Sequence, residues 1–123
     1  MPGIDSHRDL IAWQKAMDLV VRCYELTREF PKSEIYGLSS QLQRAAVSVP
    51  ANIAEGHARG TRKDYAHFIS IARGSAAELE TLLLLATRTS LLASSEVSPL
   101  IEEVEQIARM LNRLHARLRE TAA

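Results

Sequence analysis

The chain has 123 residues, enough for one domain with a core and too few for two comfortable ones, so the expectation is one unit over 1–123. Apolar residues make up 46% and charged residues 24%, which excludes a disordered or fibrous chain. Fifteen basic and fifteen acidic side chains cancel, which excludes a global positive field, so binding to nucleic acid or anionic lipid would need a local patch.

The first ten residues contain acids and no apolar core of the kind a signal peptide needs. Helix one is expected from about Asp9 to Thr27, where Leu10, Trp13, Met17, Val20, Val21 and Tyr24 recur at spacings of three and four. Ser6 and Asp9 resemble a capping box. Cys23 is the only cysteine, so an intrachain disulfide and a cysteine-built zinc site are excluded and a reducing, cytoplasmic setting is expected.

Phe30-Pro31-Lys32-Ser33 breaks the pattern, with Ser33 a candidate cap for helix two, expected from about Glu34 to Glu55. Its apolar stripe is Leu38, Leu42, Ala45, Val49 and Ile53. Pro50 removes a hydrogen bond and clashes with the Ala46 carbonyl, but the stripe keeps its phase through it, so one kinked helix is expected rather than two. From Ile35 to Ala54 the only charge is Arg44, yet Gln41, Gln43, Asn52 and Pro50 argue for a buried helix and against a membrane span.

Gly56 and Gly60 are expected to bracket a loop, and Thr61 with Asp64 to cap helix three, about 62–89. Tyr65, Phe68, Ile69, Ala72, Leu79, Leu82, Leu83 and Ala86 form its stripe. Gly74 within it gives up ~1 kcal/mol of helix propensity, which a close helix contact would explain and neutral tolerance would explain equally. Ser94 and Ser95 are placed in the last loop, and Ser98-Pro99 as N-cap and first residue of helix four, about 99–120. Four amphipathic helices with short connections predict an all-α, antiparallel up-down-up-down bundle.

Few residues offer chemistry. Asp64 and His67 share a helix face at the spacing that di-metal bundles use, but such a site needs two pairs, so capping by Asp64 and a surface or interface His67 is the simpler reading. No metal or cofactor is expected, nor any catalytic constellation, since nucleophile elbows and nucleotide-binding fingerprints are lacking. The competing reading is an enzyme or metalloprotein using Asp64, His67 or the polar residues of helix two. Arg109, Arg113 and Arg117 form a stripe best read as a solvated face. His57, Arg59, Arg62, Lys63 and His67 make a basic cluster at a helix start, of which Arg59, Arg62 and Lys63 are the candidate contacts to RNA or DNA.

Helix two lacks a charged face, whereas each helix of a monomeric bundle should show water one. Ser40, Val47, Ala51 and Ala54 lie opposite its core stripe, and Gln41, Arg44, Ser48, Asn52 and Glu55 form a polar line between the two faces. An oligomer interface is therefore expected at Gln41, Arg44, Val47, Ser48, Ala51, Asn52 and Glu55, with Glu78, Glu80 or a neighbour's acid pairing Arg44. Leu82 to Leu85, apolar all round helix three, add a second surface.

Several stretches resemble the family known as four helix bundle protein or 23S rRNA-intervening sequence protein. They are the run Asp9 to Leu19 with Trp13, then Phe30-Pro31, Tyr36-Gly37-Leu38, the long block from Ser40 to Gly56 including Pro50, and Arg73-Gly74-Ser75 followed by Glu78-Leu79-Glu80-Thr81. The resemblance implies a four-helix bundle assembling as a homopentamer, in a family whose molecular role is not established. A related group, the accessory variability determinant proteins of diversity-generating retroelements, is similar in fold and binds nucleic acid through basic surfaces. This chain departs from that group in its zero net charge.

Overall fold

A computed structural model describes residue 7 and residues 10–120. Four helices follow in order: α1 (Ile11–Thr27), α2 (Leu38–Ala58), α3 (Arg62–Arg88) and α4 (Ser94–Glu120), with one 3₁₀ turn at Lys32–Glu34 before α2. No strand occurs among the described residues. Each helix packs on its sequence neighbour, and α1 closes the ring against α4. Thr27 of α1 meets Gln43 of α2, Ser48 of α2 meets Ser75 of α3, and Arg62 of α3 meets Arg117 of α4. These pairings accord with up-down-up-down order.

One core cluster draws on all four helices, centred on Leu42, Ile53, Ile69, Leu79, Leu83, Ile107 and Leu111. The expected stripes of α2 and α3 supply it, together with Leu100, Val104, Ile107, Leu111 and Leu118 of α4. α1 turns its expected stripe inward only in part: Leu10, Trp13 and Val20 pack against the core, half-buried. Its core face is Ala12, Ala16, Leu19, Cys23 and Thr27, while Met17, Val21 and Tyr24 are exposed and Trp13 and Val20 half-buried. Both sets run at spacings of three and four, so periodicity alone cannot choose between them. Small side chains at Ala12, Ala16 and Cys23 let the helix approach closely, and the large apolar ones are left at the rim.

Helix boundaries differ where local chemistry decides them. α2 begins at Leu38 rather than near Glu34, because Gly37 holds a non-helical backbone (φ −113°, ψ −120°). Ser33 makes no cap; the Glu34 carboxylate instead accepts the Leu38 N–H at 3.3 Å. α2 then runs as one helix through Pro50 and past Glu55 to Ala58, so Gly56 is a buried helical residue and not the edge of a loop. α3 starts as expected, with the Thr61 hydroxyl accepting the Asp64 N–H at 3.1 Å. It ends in a tight turn in which Ser90 takes a left-handed φ of 65° and the Leu91 N–H reaches back to the Ala86 carbonyl at 2.9 Å.

α4 begins at Ser94, so Ser94 and Ser95 are helical and Pro99 lies inside the helix rather than at its first position. The start is held by the Glu96 carboxylate, which accepts the Ala93 N–H at 3.0 Å. Pro99 deprives only the Ser95 carbonyl of a donor, and Ser95 is exposed to water. The Ser6–Asp9 capping pair lies outside the described residues.

The two suspect glycines exchange roles. A Cβ on Gly74 would meet nothing within 4 Å, so no close helix contact explains it. A Cβ on Gly56 would lie 2.8 Å from the Phe68 Cβ and 3.2 Å from the Tyr65 carbonyl oxygen. This is where α2 and α3 come closest at the end that presents the basic cluster.

Candidate functional site

Beside Gly56 the α2–α3 junction gathers aromatic and basic side chains. The ring of His57 stands edge-on to Tyr65 at 5.7 Å and to His7 at 6.4 Å, and His7 in turn to Trp13 at 5.1 Å. The Arg59 guanidinium lies over the Phe68 ring at 4.8 Å, and its Nη2 pairs with the Glu55 carboxylate at 3.1 Å. Arg62 points elsewhere: its Nη2 donates to the Arg117 carbonyl at 2.8 Å, stabilising the C-terminal end of α4. Of the three candidate nucleic-acid contacts, Arg59 is neutralised within the chain, Arg62 is directed to α4, and Lys63 is exposed.

Asp64 and His67 are both exposed, and no group of three or more metal-ligating side chains occurs among the described residues. Asp64 contributes its backbone N–H to the helix cap.

The polar line of α2 divides. Ser48 and Asn52 turn toward α3: Ser48 shares a 2.7 Å hydrogen bond with buried Ser75, and the Asn52 amide donates to the Ser48 carbonyl at 2.8 Å and hydroxyl at 2.9 Å. Gln41, Arg44, Val47, Ala51 and Glu55 face outward. Arg44 has no ion-pair partner among the described residues; Glu80 lies in the groove between α3 and α4, away from it. Tyr24, Ser40, Gln43, Arg44, Val47 and Ser48 line a shallow cleft of about 510 Å³ between α1 and α2. Tyr24 of α1 thus extends the uncharged face of α2, while exposed Val21 borders a separate cleft with Glu103 of α4. Sequence reasoning missed this half of the surface because it assigned those residues to the core. Of the leucine run, Leu82 and Leu83 are buried and Leu84 and Leu85 exposed.

Cys23 is fully buried on the core face of α1. Burial pushes its thiol up to about 12, with Arg22 pulling weakly the other way. A thiol this far from ionisation is a poor nucleophile, so native protein at pH 8 should resist iodoacetamide, whereas urea-unfolded protein should label fully; mass spectrometry of both reads the result. Because the folded protein keeps this proton above the ordinary thiol value, stability should fall as pH rises from about 9 toward 12. Urea midpoints of the wild type and Cys23→Ala across that range would separate this contribution.

The architecture defines an all-α four-helix bundle, and among the described residues no helix is long and apolar enough to cross a membrane. The chain belongs to the 23S rRNA-intervening sequence protein family, whose model matches residues 8–113. It is similar in fold to a crystal structure of a protein of unknown function from the S23 ribosomal protein family of Bacteroides thetaiotaomicron, with TM-score 0.77 and 23% identity over 85% of this chain and 98% of that one. No curated protein is detectably similar to the chain.

Proposed function

We propose that the chain is a non-catalytic bundle that assembles with copies of itself through the outward face of α1 and α2, as the pentamer its family resemblance implies, and that the assembly serves as a cytoplasmic binding scaffold. The observation carrying this reading is the exposure of Tyr24 and Val47 in one cleft with Ser40 and Arg44, with Ala51 exposed one turn further along α2. Large apolar side chains rimming small ones make a surface that a second copy can approach closely. Arg44 would find its acid on the neighbour, which accounts for its having no ion-pair partner among the described residues. Against catalysis stands the burial of Cys23, which holds its thiol protonated. Nucleic acid is the ligand this reading favours, because Arg62 forms no ion pair among the described residues at its end of the bundle, and the resemblance to accessory variability determinant proteins points the same way.

Light scattering on a sizing column tests the assembly. The wild type should elute as an oligomer and Ala51→Glu as a folded monomer, since Ala51 is exposed within one chain and its replacement disturbs no core. Arg44→Ala should weaken association without abolishing it. A monomeric wild type sinks the proposal, and an intact oligomer in Ala51→Glu moves the interface away from this face.

A further inference from the structure

On the opposite flank, α3 and α4 enclose an open groove of about 460 Å³ over the small side chains of Ala76, Ala77 and Ala108, with Arg73 and Asn112 on its walls. Glu80 and Glu105 line the same groove, each seven residues along its helix from Arg73 or Asn112, about 10 Å away at 1.5 Å per residue. The opposite end is cationic. Asn112, His115 and Arg119 recur at three and four residues along α4, hence on one face. Arg73 leans toward them, because helical side chains tilt toward the N-terminus of their own helix. Arg62 closes this end, its guanidinium fixed on the Arg117 carbonyl.

His115 reports the consequence. Its pKa is lowered, first by burial and then by the positive charges of Arg73 and Arg119. No carboxylate lies within ion-pair distance of Arg62, Arg73 or Arg119 among the described residues. Two permanent cations act on the imidazole and Arg62 lies at the same end of the groove, none of the three ion-paired among the described residues, which leaves a local positive potential that the zero net charge conceals.

The spread of the charges decides the kind of anion. Arg62 and Arg73 are eleven residues apart on α3, so their Cα atoms lie about 16 Å apart. Four cationic or protonatable side chains spread along that span are more than one phosphate engages, whereas a nucleic-acid strand presents a charge every ~3.4 Å along a duplex axis. We infer that the end of the α3–α4 groove formed by Arg62, Arg73, His115 and Arg119 is a contact surface for the phosphate backbone of a nucleic acid. This rests on nucleic acid being the ligand of the assembly, and it relocates the contact from the loop around Arg59 to the groove. The groove lies on the side away from the proposed α1–α2 interface, so assembly would leave it open and repeat it around the oligomer.

Fluorescence anisotropy of a labelled, mixed-sequence single-stranded RNA across a salt series tests this, with wild type, Arg73→Gln/Arg119→Gln, Arg73→Lys/Arg119→Lys and Arg59→Gln/Lys63→Gln. The glutamine groove variant should bind weakly, with a log–log salt slope flattened by about 1.4, the loss of two contacts to a single strand. The lysine groove variant should retain most binding, and the Arg59→Gln/Lys63→Gln variant should bind like wild type. Thermal melts of each variant confirm that the bundle is intact, since these side chains lie outside the core cluster. In parallel, the His115 imidazole resonances should move on adding RNA, with the pKa rising as phosphates offset the arginines. Unchanged binding by the glutamine groove variant, with loss in Arg59→Gln/Lys63→Gln, overturns the groove and keeps the nucleic-acid reading. No binding by wild type at low salt overturns both. Displacement of His115 by inorganic phosphate but not by RNA overturns the assignment to a polymer.

Discussion

Leu83→Ala should destabilise the bundle by about 2–5 kcal/mol, and Leu84→Ala by less than ~0.5 kcal/mol in the monomer. The two leucines are chain neighbours with identical helix propensity, so only their surroundings separate them. Leu83 is 0% exposed at the centre of the core, and Leu84 is 50% exposed. Removing the Leu83 side chain loses its transfer free energy and leaves a cavity that the surrounding core closes only in part. Urea unfolding at low protein concentration, where association contributes little, compares the two. Equal losses would mean that Leu84 is covered within one chain, which would also remove the second exposed surface of α3.

A second pair of substitutions should act in opposite directions. Gly74→Ala should stabilise α3 by about 0.5–1 kcal/mol, the propensity difference between the two residues, because a methyl there meets nothing within 4 Å. Gly56→Ala gains the same propensity, but its methyl would lie 2.8 Å from the Phe68 Cβ and 3.2 Å from the Tyr65 carbonyl oxygen. Neither is the tip of a flexible side chain, so α2 and α3 must move apart, and overpacking of this kind costs typically about 1–3 kcal/mol. The net effect of Gly56→Ala should be destabilising, with loosened packing of Tyr65 against His57 as its local sign. Urea midpoints give both energies, and a stabilised Gly56→Ala protein would show that this junction has slack.

The candidate surfaces were legible to different degrees. Charge depletion along α2 marked an outward face from the sequence, since Val47 and Ala51 lie opposite Leu42, Val49 and Ile53 on the wheel. The polar line was harder, because Ser48 and Asn52 look identical in pattern to Arg44 and Glu55. Only the position of Ser75 on α3 shows that the serine and asparagine are used within the chain. The cationic end of the α3–α4 groove left little trace: Arg62, Arg73 and Arg119 are dispersed over 58 positions, and no two of them share a helical turn.

What the sequence determined by itself is the number and kind of elements. Apolar periodicity is a property of each helix alone, and the Thr61 cap of α3 is made by residues three apart, so both can be read without knowing the partners. What tertiary structure decided is which of two valid stripes on α1 turns inward, which glycine is a contact, and which cations share a groove. Each of these depends on shape across a helix interface. Small Ala12, Ala16 and Cys23 win the core over Met17, Val21 and Tyr24 because the other three helices already fill it with leucine and isoleucine, leaving room for a close approach and none for a second layer of large side chains.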